Sequence, residues 1–346
     1  MSGIPSENLL GLKLKDDWEV IEIISKHPGS TGGRFSTGYK VIKNGKYAFL
    51  KALDFSEAFA SNDKPRRLQE LAEAYNFERD LLNKCKGKHL NKVVFPIDDG
   101  SVDVPGFIAG INTVYYIIFD LADGDIRKIK DTFNSLDMAF IFRSLHNAAV
   151  GIEQLHRNDI AHQDLKPSNV LVFQKQSKIS DVGRASDKNN KFVYDSIQIP
   201  GDRNYAPLEQ AYGFHFTGDF TEKYAADIYL FGSLFFFFFI GISASQAFIN
   251  KARILNITFS NIFEHDLPEL YHVFNEVILD MEHSLKSILP DAEANEVKSI
   301  IFALCQPDPR KRGFLKNVVS GIQQYSLERF ISRLELLAKK AELKLI

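Results

Sequence analysis

Along the first 120 residues the chain alternates between two periods. Trp18-Glu19-Val20-Ile21-Glu22-Ile23-Ile24 alternates like a strand. Tyr39-Lys40-Val41-Ile42 and Tyr47-Ala48-Phe49-Leu50-Lys51 flank Asn44-Gly45, a dipeptide that tolerates the two positive φ angles of a tight hairpin. Val93 to Ile97 and Val114 to Phe119 are further strand-like runs. Between them and the hairpin lies one helix, from Pro65 to Cys85, with Ser61 or Asp63 as its cap and Pro65 in its first turn. From Gly124 onward the spacing is helical. Residues 135–156 carry Phe140, Ile141, Leu145, Ala148, Ala149, Ile152 and Leu155 at helical intervals. A short strand pair follows, Val170-Leu171-Val172 and Lys178-Ile179-Ser180, then a polar stretch from Arg184 to Ala206 without regular period. An aperiodic stretch of about 25 residues usually carries function. The rest is helical and ends, from Ser326 to Ile346, in a stripe of Leu327, Phe330, Ile331, Leu334, Leu337, Ala338 and Ala341. Such a stripe packs on its own domain or on a partner helix, and the first is the expectation.

One segment changes this picture. From Ile228 to Ala247 there is no charged residue, and phenylalanine fills every position from 235 to 239. That length and polarity suit a membrane span, but a helix buried on all sides of a large domain has the same composition. Asp227 at its start and the interruptions at Gly232, Ser233 and Gly241 favour the buried helix. The chain has 346 residues, 45% hydrophobic and 25% charged, enough for a substantial core. A formal charge of -2 gives no electrostatic reason to expect a nucleic-acid or acidic-membrane partner. Cys85 and Cys305 are too few for a disulfide framework, and no Cys/His group has zinc spacing. The N-terminus lacks an apolar signal core, and Ser2 excludes myristoylation. Together these lead to the expectation of a cytoplasmic protein.

The densest chemistry is His162-Gln163-Asp164-Leu165-Lys166-Pro167-Ser168-Asn169-Val170-Leu171-Val172, followed by Asp181-Val182-Gly183. Magnesium takes hard oxygen ligands, few from protein and the rest from water and phosphate. Asn169 and Asp181 can each offer one, which leaves Asp164 to accept or orient the proton of an attacking hydroxyl. Lys166 can neutralise the charge that gathers on a transferring phosphoryl group.

These residues resemble the catalytic loop and metal-binding motif of eukaryotic-type protein kinases. Other segments resemble that family in the same order. Ala48-Phe49-Leu50-Lys51 is similar to the strand whose lysine holds the α- and β-phosphates of ATP, and Glu78 to the helix glutamate that pairs with it. Phe119-Asp120-Leu121-Ala122-Asp123 resembles the gatekeeper and hinge, where backbone groups bond adenine. Gly201 to Glu209 resembles the end of an activation segment, Asp227 to Gly232 the start of a buried central helix, and Arg312 the arginine that pairs with Glu209.

The resemblance spans about residues 18–325. It implies an α+β, bilobal protein-kinase fold, with a small antiparallel β lobe carrying one main helix and a larger, mainly helical lobe. The boundaries it suggests are an N-terminal extension (1–17), an N-lobe and hinge (18–122), a C-lobe (123–325) and a C-terminal amphipathic helix (326–346). It further implies transfer of the γ-phosphate of ATP, with Mg²⁺, to Ser/Thr hydroxyls of a protein substrate. Asp164 and Lys166 would be catalytic and Asn169 and Asp181 metal-binding. Gly33, Phe35, Ser36, Ala48, Lys51, Glu78, Asp120, Ala122 and Asp123 would hold the nucleotide, and His162, Glu209, Asp227 and Arg312 would be structural. A pseudokinase scaffold and a small-molecule kinase of the aminoglycoside or choline type are the alternatives. The presence of Lys51, Glu78, Asp164, Asn169 and Asp181 together disfavours the first, and the Glu209/Arg312 pair the second.

Three departures bear on efficiency and control. In the stretch from Thr31 to Val41 only Gly33 falls on an expected glycine, with Thr31 and Ser36 replacing the other two and Gly38 standing where a valine usually roofs the adenine. Gln163 replaces the arginine that binds an activation-loop phosphate. The stretch from Asp181 to Glu209 is therefore expected to reach its working form without phosphate on Ser186, Tyr194 or Ser196. Asp202 replaces a threonine and brings a carboxylate close to Asp164 and Lys166.

Overall fold

The computed structural model describes residues 3–24, 36–108, 111–132, 136–191, 193–314 and 323–346. These form two units, Met1–Asp123 and Gly124–Ile346. In the first, β1 (Glu19–Ile24), β2 (Ser36–Lys43), β3 (Lys46–Leu53), β4 (Asp98–Asp103) and β5 (Thr113–Asp120) make one antiparallel sheet in the order β1-β2-β3-β5-β4. Asn44 (φ 50°) and Gly45 (φ 77°) make the expected turn between β2 and β3. Val93–Ile97 was expected as a strand and is not one. Pro96 has no N–H to give a ladder, and the edge strand begins instead at the polar Asp98.

One face of the sheet is core. Tyr39, Val41, Ala48, Leu50, Ala52, Val114, Tyr116 and Ile118 are buried there with Trp18 and Val20. Leu9 and Leu14 close the same cluster. Their segment is fastened by the Gly11 N–H to the Val20 carbonyl (2.9 Å) and by the Tyr39 hydroxyl to the Ser6 carbonyl (2.8 Å). Residues 3–17 thus belong to the body of this unit. α1 (Glu57–Ala60) leads into α2 (Lys64–Gly87), whose cap is Asp63, accepting from the Arg66 N–H at 3.2 Å. Leu71, Tyr75, Glu78, Leu82 and Cys85 recur at intervals of three and four and are all buried. Glu78 is the one charged member of that stripe.

The second unit is mainly helical. α3 (Ile126–Lys130), α4 (Met138–His156), α5 (Leu208–Tyr212), α6 (Thr221–Ile240), α7 (Ala244–Ile254), α8 (Phe263–Lys286), α9 (Asp291–Leu304) and α10 (Glu328–Glu342) are its described helices. α6 is the phenylalanine-rich segment. It is long and apolar enough to cross a membrane, yet 83% of that window is buried inside the unit, among α4, α7, α8 and α9. Gly241 ends it in the left-handed conformation (φ 79°), its N–H bonding the carbonyls of Phe236 and Phe237. The C-terminal stripe packs inward as well. Leu327, Phe330, Leu334, Leu337, Ala338 and Ala341 are buried as α10 lies on α4, and Arg143 of α4 reaches Glu335 (2.6 Å) and Glu342 (2.8 Å).

Short strands frame the chemistry. β6 (Gly124–Asp125), β8 (Val170–Phe173) and β9 (Gln176–Ile179) form one small sheet, and β7 (Ile160–Ala161) pairs with β10 (Ser186–Asp187). The segment from His162 to Asn169 is therefore held between β7 and β8. The polar stretch after it is less irregular than its composition suggests, because it contributes β10 and a 3₁₀ turn at Val193–Ser196.

Candidate active site

Within the sheet unit, Lys51 of β3 and Glu78 of α2 meet. The Lys51 ammonium donates to Glu78 Oε1 at 2.7 Å, with the glutamate buried and the lysine partly so. Successive side chains of a strand alternate faces, so Lys51 and Phe49 share one face while Ala48 and Leu50 share the other. Ala48 was expected to touch nucleotide. It is fully buried in the opposite, core face and cannot do so from there. On the Lys51 side the neighbouring residue is Phe49. Its ring leans across β2 to Gly38, where an added Cβ would lie only 2.9 Å from it, and its centroid is 6.5 Å from that of Phe119. Gly38 thus leaves the room that Phe49 fills, and strand parity counted back from Lys51 is the sequence signal for Phe49. Ser36 opens β2 half-buried; Asp120 closes β5 with its exposed carboxylate on Lys46 (2.8 Å), and Ala122 and Asp123 follow. Gly33 and Phe35 lie outside the described residues.

In the helical unit the loop after β7 is built on one carboxylate. Asp227, fully buried in α6, accepts the backbone N–H of His162 and of Gln163, each at 2.7 Å, and a bond from His156 Nε2 at 2.9 Å. Gln163 itself adopts φ 64°, a left-handed conformation that a non-glycine residue keeps only when its surroundings hold it. The Asp164 N–H approaches His162 Nδ1 (3.3 Å), so His162 carries its proton on Nε2 and donates it to the Ser180 carbonyl at 3.0 Å. His162 is wholly buried, with both ring nitrogens engaged in this way.

Asp164, Lys166, Asn169 and Asp202 converge on top of this base. Lys166 Nζ lies 3.1 Å from Asp164 Oδ2 and 3.6 Å from Asp202 Oδ2. Asn169 Nδ2 donates to the Asp164 carbonyl (2.8 Å) and to its Oδ2 (3.2 Å), which turns the amide oxygen of Asn169 the other way. The Asp202 N–H donates to Asp164 Oδ1 at 2.8 Å. Gly201 permits that approach, because a Cβ there would fall 2.5 Å from the Gln163 carbonyl and 2.7 Å from Asp164 Oδ1. Asp181 follows β9 with φ 60° and lies close enough to Asp164 to raise its proton affinity. Farther along, Arg312 and Glu209 form a buried two-pronged pair, Nη1 to Oε1 at 2.5 Å and Nη2 to Oε2 at 2.6 Å. The arginine also donates to the carbonyls of Gln306 (2.8 Å) and Ala225 (3.2 Å).

The donors present suit magnesium. Among the described residues no group of three or more His, Cys, Asp or Glu side chains could hold a metal alone. An amide oxygen and one carboxylate, Asn169 and Asp181, leave most positions to water and phosphate, as magnesium prefers.

Comparison with known proteins decides the family. The model of the protein kinase domain matches residues 31–321. The chain belongs to the protein kinase family. The kinase is similar to the probable serine/threonine-protein kinase gdt4 of Dictyostelium discoideum, 27% identical over 260 residues, 72% of this chain and 14% of that protein. It is also similar to the serine/threonine-protein kinase greatwall of Homo sapiens, 22% identical over 179 residues, 51% of this chain and 18% of that protein. The extracellular signal-regulated kinase 7 of Drosophila melanogaster is 30% identical over 99 residues, 28% of this chain and 10% of that protein. The matched part of the chain spans less than a fifth of the length of each of these relatives.

The environment of Asp164 in this kinase makes a pH prediction. Burial pushes its carboxyl up and the Asp181 charge adds to this, while Lys166 and the Asp202 N–H pull the other way. The net displacement is upward. If turnover needs the carboxylate, the acid limb of kcat/KM is expected above the ordinary Asp value, with activity lost as pH falls through it. Removing an opposing cation moves it further up, so Lys166→Met is expected to shift the limb of its residual activity to higher pH. Rate profiles of the two proteins check this, and a limb in the ordinary carboxylate range or a downward shift contradicts it.

Proposed function

We propose that the kinase transfers the γ-phosphate of ATP, with Mg²⁺, to serine or threonine hydroxyls of protein substrates. The observation that carries the reading is the convergence of Asp164, Lys166 and Asn169 on a loop anchored by Asp227. Asp164 orients the acceptor hydroxyl and takes its proton at the carboxylate. Lys166 places its ammonium where charge builds on the transferring group. Its position two residues after Asp164 supports a serine or threonine acceptor over tyrosine. Asn169 and Asp181 would hold Mg²⁺, which when bound neutralises the charge of the phosphates. From the sheet unit, Lys51 is assigned to the α- and β-phosphates, held in place by Glu78. Phe49 and Phe119 offer an aromatic surface on the same face for the base. Cys85 and Cys305 are both buried thiols, which supports a reducing, cytoplasmic setting.

Nucleotide binding tests the assignment. MgATP is expected to bind the wild type with a strong magnesium dependence that Asp181→Asn removes. Lys51→Ala loses a charge-assisted contact and is expected to weaken binding about 10- to 100-fold. Calorimetric titration with ATP, with and without Mg²⁺, measures both. Wild-type affinity in both variants would refute the assignment.

A further inference from the structure

The stretch between Arg184 and Ala206 is tied to the base of the catalytic loop by a charge of its own. Asp195, in the 3₁₀ turn Val193–Ser196, accepts at Oδ1 from the Ser186 hydroxyl (2.5 Å) and from the Lys223 ammonium (3.0 Å). Lys223 also donates to Ser186 Oγ (2.7 Å), so the three side chains close a triangle. Each of its other corners leads to the catalytic loop. Ser186 lies in β10, opposite Ala161 of β7, the residue before His162. Lys223 stands one helical turn before Asp227 on α6, and its carbonyl accepts from the Gln163 side chain at 2.9 Å. Asp195 and Lys223 are about three-quarters buried side chains, which strengthens their attraction over an exposed pair.

We propose that Asp195 is a positioning residue. Through Lys223 and Ser186 its carboxylate fixes the stretch from Arg184 to Ala206 on the catalytic loop, using a charge encoded in the chain instead of one added as phosphate. Gln163, a neutral side chain, is already spent on the Lys223 carbonyl and on Asp227. Ser186 is buried and bonded at both corners, so it is part of the anchor and is closed to modification. The consequence for turnover rests on the kinase reading above; the consequence for the order of the stretch does not.

The test compares full-length wild type, Asp195→Asn, Asp195→Glu and Ser196→Ala. Trypsin cleavage after the exposed Lys191 reports the order of the stretch. ADP formation with MgATP and casein reports turnover, and calorimetry reports MgATP affinity. Asp195→Asn halves the interaction by removing its charge and is expected to be cleaved about tenfold faster and to turn over about tenfold slower. Its MgATP affinity should equal that of wild type, a result that general unfolding would not give. Asp195→Glu should recover most of both losses. Ser196→Ala and phosphatase-treated wild type should keep full rate. Wild-type protection and turnover in Asp195→Asn would overturn the proposal, as would a tenfold loss on phosphatase treatment. A wild type that forms no ADP would count against the kinase reading alone, because trypsin still decides whether Asp195 holds the stretch.

Discussion

Asp164→Asn is expected to lose about 10²- to 10⁴-fold in turnover, the usual contribution of a positioned acid or base. Its affinity for MgATP should stay within about twofold, since the assigned metal oxygens are those of Asn169 and Asp181. The asparagine can still accept from the Asp202 N–H, which keeps the loop closed over Gly201. Stability separates this from a folding defect. In the folded state the Asp164 carboxyl has a raised proton affinity, so its charged form opposes folding at neutral pH and that cost is relieved as pH falls through the raised value. A neutral amide avoids the cost. The variant should therefore unfold at the wild-type temperature or above it, and a variant that is inactive but markedly less stable would point to a structural role.

The second large effect concerns the buried pair of Arg312 and Glu209. Arg312 is wholly buried, and its burial is tolerable because every prong of the guanidinium is met. Removing one partner strands a charge in the interior, which costs about 3–5 kcal/mol. Arg312→Leu and Glu209→Leu are each expected to lose that much in denaturant unfolding of the full chain. The double variant leaves no stranded charge and should be no less stable than the worse single one. Two additive losses would mean that the residues act separately. Since Glu209 closes the stretch that begins at Asp181, both single variants should also lose turnover, beyond what their unfolded fraction explains.

How far the sequence could be read depends on which residues make the contact. Asn44-Gly45 announced its turn because the required φ angles favour few residues. Glu78 is reached through the resemblance alone, and the structure adds that it lies in the buried stripe of α2 with Leu71, Tyr75, Leu82 and Cys85. The loop from His162 to Asn169 was legible because its chemistry is local: eight consecutive residues supply its acid, its cation and its amide. Parity decided the failure at Ala48. Strand alternation counted from Lys51 selects Phe49, and the apolar character of both residues hid the difference. The apolar run Val93–Ile97 has the composition of a strand but contains Pro96, while the real edge strand is a polar run that the hydrophobic pattern does not mark. Nothing local marks Asp195. Its partners lie 9 and 28 residues away on a two-residue strand and a helix, and only the folded chain brings them together. The same holds for Leu9 and Leu14, whose place in the core depends on Tyr39 and Trp18.

On the proposed function, the Asp164 carboxylate directs the γ-phosphate to a protein hydroxyl. This step is tested most directly by incubating the full chain with γ-labelled ATP, Mg²⁺ and casein, beside Asp164→Asn, and identifying the labelled amino acids. The account predicts label on serine and threonine with the wild type, none without Mg²⁺, and at least a hundredfold less with Asp164→Asn. Label carried equally by the Asp164→Asn protein, or found on tyrosine alone, would contradict it.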